Sequence, residues 1–300
     1  MKEIISPLTG RKSVEKIASY EARSICRDWM NQYGMDVSSE FHGHKHLDVY
    51  QCRDTGIVFF DPPDVIGSGA FYAELQKFDW YYMKDKWEHQ VAIKDLESCK
   101  HVLEIGAATG NFVKSCKDLG IDIAGIEMNE DAVAVAQANG LPVSLTKLDE
   151  VQSQSVDGVC SFQVLEHISE PVPFIASCLR VLKPGGILIF SVPNLDSFMK
   201  HAYILLDMPP HHQTRWGVRA FKALESMYPL RLEAIHKEPL AAYHAGWYLG
   251  VWTQYFRENK PCGFLLFNRL TMPLYRLLLG FGFCRRLITG HTLYVKFRKC

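Results

Sequence analysis

The chain has 300 residues, 48% of them hydrophobic, and its 33 basic side chains are balanced by 33 acidic ones. That length and apolar content support one α/β domain with an extra element and exclude a disordered chain. The even charge, with no strongly basic run, argues against a nucleic-acid backbone as partner. The stretch from Met1 to Pro7 lacks the apolar core of a signal peptide, and the nine cysteines are scattered with no Cys-x-x-Cys pair. A cytoplasmic protein with reduced thiols is therefore expected.

Residues 1–95 read as an N-terminal extension outside any regular strand–helix alternation. Ser6-Pro7-Leu8-Thr9-Gly10 and Cys52-Arg53-Asp54-Thr55-Gly56 have the outline of two zinc knuckles with most ligands gone, the second followed by the apolar strand Ile57 to Phe60. His42, His44 and His46 alternate along Phe41 to Leu47 and read as exposed strand histidines, with metal binding as the alternative. From Phe71 to Ala92 the chain is crowded with Tyr72, Phe78, Trp80, Tyr81, Tyr82 and Trp87, at spacings that suit one or two packed helices.

Residues 96–300 read as a nucleotide-type α/β domain. Val102 to Ile105 is an apolar strand carrying Glu104, and Gly106-Ala107-Ala108-Thr109-Gly110 then leads into a helix near Asn111. Glycines let backbone approach a ligand, and a helix start offers free N–H groups. The spacing is neither Gly-x-Gly-x-x-Gly nor a phosphate loop ending in Gly-Lys-Ser/Thr, so hydride and phosphoryl transfer lose ground. Ile121 to Ile126 is a second strand ending in Glu127, which can accept both hydroxyls of a ribose. A helix (Ala132 to Ala138), a short strand (Leu141 to Leu145), the strand Val156 to Phe162, Leu165-Glu166-His167, the turn Leu182-Lys183-Pro184-Gly185-Gly186 and the strand Ile187 to Val192 follow. Thr214 is expected to cap a helix reaching about Met227, with strands at Leu230 to Ile235 and His291 to Phe297.

Between those last strands lies a helical insert, residues 240–288. Tyr243, Trp247, Tyr248, Trp252, Tyr255 and Phe256 recur at helical spacing. Thr271 before Pro273 marks a helix start and Gly280 a stop. Gly263 to Phe283 is rich in Leu and Phe, but Arg269, Arg276, Arg285 and Arg286 interrupt it too often for a spanning helix. An interfacial helix at anionic lipid, a cap on the domain and a dimer contact all suit residues 263–286.

The series from Glu104, Gly106 and Gly110 through Glu127, Leu165-Glu166-His167 and Leu182 to Gly186 resembles the class I S-adenosylmethionine-dependent methyltransferases, whose first motif is Glu/Asp-x-Gly-x-Gly-x-Gly. The resemblance covers about ninety residues beyond the first motif. Ala108 departs from the pattern, and its methyl is tolerable if the backbone there stays in an ordinary region. The resemblance implies a Rossmann-like seven-stranded sheet with helices on both faces and S-adenosylmethionine as cofactor. It places Glu104, Gly106, Ala107, Ala108, Gly110, Asn111 and Phe112 around the methionine portion, Glu127 with Met128 at the ribose, Leu148 near adenine and Phe162 at the end of the fourth strand. Tyr82 and Trp87 match a segment that lies beside the cofactor pocket in relatives. Bacterial relatives begin with a zinc ribbon, and on that correspondence its ligand positions are Ser6, Thr9, Cys52 and Thr55, so a metal-free remnant is expected.

Methyl transfer from a sulfonium is an in-line displacement that asks chiefly for positioning. An amine or a phenol needs little acid–base help, whereas a sugar or aliphatic hydroxyl also needs a base, and His212 and then His167 are the candidates, with Glu88 a third. In ubiquinone-biosynthesis O-methyltransferases the similar segment reads Glu-x-x-Glu-His and is associated with a divalent metal. Gln163 here removes a hard ligand, so no metal is expected. The expected function is O-methylation of a small-molecule or glycan hydroxyl. The alternatives are C- or N-methylation of a related acceptor, or a non-catalytic protein that kept the fold as a binding or membrane-docking module.

Overall fold

The computed structural model describes residues 3–78, 80, 81, 83, 86–260, 266–268 and 270–300. Tyr82 and Arg269, and the start of the apolar stretch at Gly263, lie outside them. Strands β1 (Val14–Glu21), β2 (His46–Cys52) and β3 (Val58–Asp61) surround helix α1 (Ala22–Tyr33) in sequence, and α2 (Gly69–Leu75) and α3 (Trp87–Leu96) follow. The alternating series is then β4 (Val102–Ile105), α4 (Asn111–Asp118), β5 (Ile123–Ile126), α5 (Glu130–Ala138), β6 (Val143–Ser144), β7 (Val156–Phe162), α6 (Pro171–Val181) and β8 (Leu182–Pro193). It is completed by β9 (Thr214–Arg215), α7 (Val218–Met227), β10 (Leu230–Pro239), α8 (Ala245–Asn259), α9 (Met272–Gly280), α10 (Gly282–Arg286) and β11 (Thr289–Lys299).

The large sheet has seven strands in the order β10-β11-β8-β7-β4-β5-β6. β4 pairs in parallel with β5 and β7, whereas β11 runs antiparallel to both β8 and β10. Such a sheet buries both faces, and strand residues must alternate between two helix layers. Leu188 and Phe190 of β8 join the core under α6 and α7, and Ile187 and Ile189 join the one under α3, α4 and α5. The chain leaves β4 toward β5 and β6 on one side and later builds β7 and β8 on the other. The crevice beyond the carboxyl ends of β4 and β7 is therefore the topological switch point where open α/β sheets take ligands.

A second sheet, β1-β2-β3-β9, draws its last strand from far along the chain, with Phe59 opposite Thr214. Two expectations are corrected here. Thr214 lies in β9 and does not cap α7, which starts at Val218 with the Asp196 carboxylate accepting from the Val218 amide at 2.9 Å. Only His46 of the three spaced histidines is in a strand, because Phe41 ends a 3-10 turn, His42 takes a left-handed conformation and His44 pairs with Asp64 at 3.0 Å. The four knuckle positions do converge: Ser6, Cys52 and Thr55 are buried, and Thr9 Oγ1 is 4.0 Å from Cys52 Sγ.

Candidate active site

The loop after β4 is held open by backbone conformation. Gly106 has φ +78°, and a Cβ there would stand 2.4 Å from Val164 Cγ2. Gly110, the residue before α4, has φ +79°, and a Cβ would meet Leu141 Cδ1 at 2.8 Å. Between them Ala108 also has a positive φ, 46°, so the expectation of an ordinary backbone at this position is wrong. Its side chain carries a left-handed cost of about 1–2 kcal/mol that glycine would avoid, against about 0.5–1 kcal/mol for glycine's greater chain entropy. Ala108→Gly is expected to leave the melting temperature unchanged or raise it by a few degrees. A fall in thermal melts would show that the methyl packs favourably.

Glu127 at the end of β5 secures the loop. Its carboxylate accepts from the amides of Ala108 at 2.9 Å, Met128 at 2.7 Å and Asn129 at 2.9 Å, leaving acceptor capacity for a hydroxyl. Glu104 is 4% exposed, and its Oε2 has no hydrogen-bond partner among the described residues. Burial pushes its carboxyl up to about 8, against the pull of Lys86 and of the Val113 amide. Asn111 Nδ2 donates to Thr109 Oγ1 at 3.4 Å, and Met128 projects openly from the rim. Ala107, Phe112 and Phe162 are buried beneath, with the two rings 4.8 Å apart and His89 packed on both. Leu148 is half-buried on a 3-10 turn, and Trp87 sets its ring edge-on to Tyr294 of β11. The orphaned Glu104 oxygen and the positive-φ loop suit a ligand with a cationic group beside a sugar, such as an adenosyl sulfonium amino acid.

Across the switch point stands a cluster of imidazoles. His167, in the 3-10 turn after β7, donates from Nδ1 to the His211 carbonyl at 2.7 Å and has Tyr72 Oη 3.1 Å away. His211 donates from Nδ1 to the Leu206 carbonyl at 2.8 Å, and its buried Nε2 has no partner among the described residues. His212 Nδ1 is 3.2 Å from Asp207 Oδ1, and Arg215 Nε holds Asp207 Oδ2 at 3.0 Å. Burial takes His167 down to about 4. Burial, reinforced by the neighbouring imidazoles, takes His211 and His212 well below their ordinary value. All three are neutral at pH 7, and in each the bonded Nδ1 leaves Nε2 as the proton acceptor.

The β9 pairing explains how they meet. Thr214 Oγ1 donates to the Leu165 carbonyl at 3.3 Å, and Gln213 gives its amide to the Glu166 carbonyl at 2.7 Å and its side chain to the Val65 carbonyl at 3.0 Å. Three distant segments are thereby locked together. Glu166 is 1% exposed with neither oxygen partnered among the described residues, and burial raises its carboxyl to about 8. Glu88 on α3 is raised by burial too, with Gln163 Nε2 at 3.4 Å. Lys86 acts electrostatically on Glu88, Glu104, Glu166 and His167.

Among the described residues, His167, His211 and His212 are the one group placed to share a metal ion, with ligand atoms within 4.8 Å of one another. The positive charge of Lys86 nearby opposes a cation there. Sequence reasoning missed Tyr72, Asp207 and Arg215 as parts of this site. The spacing of Asp207 five residues before His212 was a faint signal, whereas nothing local marked Tyr72 apart from the aromatics around it.

Residues 103–190 match the family model described as a methyltransferase domain. Similar curated relatives are the ubiquinone biosynthesis O-methyltransferases of Hahella chejuensis and Aliivibrio fischeri. The first is 35% identical over 131 residues, 39% of this chain and 55% of that one. The second is 33% identical over 105 residues, 32% of this chain and 44% of that one. The chain thus spans about half the length of the curated relatives it matches. A solved methyltransferase structure from Archaeoglobus fulgidus overlays 76% of this chain and 100% of its own at 17% identity and a TM-score of 0.49.

Proposed function

We propose, from the premise that residues 103–190 are a class I S-adenosylmethionine-dependent methyltransferase domain, that the chain moves a methyl group from this cofactor to the hydroxyl of a small molecule or glycan. The observation that carries the hydroxyl reading is the Asp207–His212 pair beside His167. A hydroxyl needs its proton removed as the oxygen attacks, and these are neutral imidazoles oriented by a carboxylate and a backbone carbonyl. The O-methyltransferases among its relatives agree with that chemistry. Amine acceptors need no such base.

When bound, S-adenosylmethionine supplies an electrophilic methyl on a sulfonium. Glu104 and the loop Gly106, Ala107, Ala108, Gly110 and Asn111 hold its amino-acid end, and Glu127 with Met128 takes the ribose. Leu148 borders the adenine, and Phe112 and Phe162 wall the pocket from below. Trp87 would border it from α3. His212 Nε2, with His167 as the second candidate, would accept the proton of the acceptor hydroxyl. Asp207 and Arg215 fix the His212 ring, and Tyr72 steadies the His211 carbonyl that orients His167.

Calorimetric titration with S-adenosylmethionine, S-adenosylhomocysteine and NAD tests the reading. Both adenosyl ligands should bind and NAD should not, and Glu127→Ala should weaken them about 10- to 100-fold, the value of hydrogen bonds to a charged group. Folded protein that binds neither adenosyl ligand would overturn it.

A further inference from the structure

The insert between β10 and β11 presents a surface that no step of methyl transfer uses. α8 and α9 pack over Phe198 and Met199, with Leu249, Val251 and Leu279 buried between them. They leave a groove of about 450 Å³. Gly246 and Gly250, one turn apart on α8, line it, and a Cβ at either would meet nothing within 4 Å among the described residues, while Arg257 and Arg276 also line it from the two helices. Neither arginine has an ion pair among the described residues. The one carboxylate in the lining, Glu258, accepts from Gln254 Nε2 at 3.1 Å.

Beside the groove the chain turns apolar side chains outward. α9 buries Leu279 and half-buries Met272 and Tyr275, as one face of a helix should, yet Leu274, Leu277 and Leu278 are exposed alongside Arg276. Leu270 is 90% exposed and Phe283 73%. Across residues 260–288 there are five cations, Lys260, Arg269, Arg276, Arg285 and Arg286, and no Asp or Glu. Arg285 is spent on the Leu279 and Gly280 carbonyls at the end of α9. Against a second copy of the chain, like faces together, this surface would set cations against cations, with Glu258, already bonded to Gln254, the one carboxylate in the groove lining to answer them. An occupant both apolar and anionic satisfies it. No helix among the described residues is long and apolar enough to cross a membrane, so the surface would lie on a bilayer and not in it.

We propose that the α8–α10 face of the insert docks on an anionic phospholipid bilayer, with the exposed Leu and Phe side chains entering the headgroup boundary and Arg257 and Arg276 receiving a lipid phosphate in the groove. This extends the membrane contact named above, but it is independent of methyl transfer, because vesicle binding and cofactor binding are read in separate experiments.

Flotation of the full chain with phosphatidylcholine vesicles, with and without phosphatidylglycerol, tests it. Binding should require phosphatidylglycerol and weaken with salt. Arg257→Gln and Arg276→Gln should each reduce partition about five-fold, as expected for one cation at an anionic surface. Leu277→Asp should abolish it while circular dichroism shows an unchanged melt. Equal binding to neutral vesicles would overturn the phosphate assignment. Displacement from vesicles by inorganic phosphate alone would reassign the groove to a soluble anion. Failure to bind either vesicle overturns the docking proposal, and a concentration-dependent dimer lost in Leu277→Asp would then identify a second copy as the occupant.

Discussion

Gly106→Ala is expected to lower S-adenosylmethionine affinity at least about thirtyfold, measured by calorimetry on folded protein. Two costs combine: the left-handed φ of 78° penalises any side chain, and the new Cβ would sit 2.4 Å from Val164 Cγ2. The first is about 1–2 kcal/mol and the second, as an overpacking cost, about 1–3 kcal/mol. Val164 is short and β-branched and cannot swing aside, so the loop must move, and with it the Ala108 amide that Glu127 holds. The companion variant Gly106→Ala/Val164→Ala removes the clash and leaves the φ strain. It should recover about half of the lost binding energy. Recovery of none would mean that conformation alone sets the requirement, and undiminished affinity in the single variant would place the cofactor elsewhere.

Glu166→Gln is expected to make the ligand-free protein more stable at pH 8 than the parent by on the order of 4 kcal/mol, and nearly equal to it at pH 4.5. The sign follows from the carboxyl's position. Its folded-state value is raised to about 8 by burial, so the folded protein keeps a proton that the unfolded chain releases above its ordinary value near 4.5. Stability is therefore whole below that ordinary value and drains as pH rises toward 8, close to 1.4 kcal/mol per unit. Glutamine cannot ionise and escapes the loss. Glu104 carries the same sign, whereas His212 and His291, lowered by burial, have the opposite one, since they cost stability as pH falls below about 6.5. Comparing the urea midpoints of variant and parent at both pH values cancels those contributions. Parallel curves would mean that Glu166 is charged and solvated in the native state.

Much of this reading was legible because it rests on local signals. The alternation of apolar strands with helical segments, Asn111 opening α4 and Glu127 closing β5 each follow from spacing within a few residues, and the strand Val156 to Phe162 was placed to the residue. The single wrong detail in the glycine loop, Ala108, is a backbone angle that no side-chain pattern reports. Thr214 misled because a threonine before a helical stretch is locally a good cap, and only its pairing with Phe59 of β3 overrides that preference. By itself the sequence determined the sheet and the glycine loop, since these depend on periodicity and short-range geometry, and it named the residues proposed to hold an adenosyl ligand. Tertiary structure alone decided which base candidate has a carboxylate behind it, that Tyr72 reaches His167, and that the insert turns its leucines outward. Tyr72 and His167 are 95 residues apart, and the Asp207–His212 pair, although local, is set beside His167 only by the folding of distant segments together, where packing and strand pairing, not local propensity, select the partner.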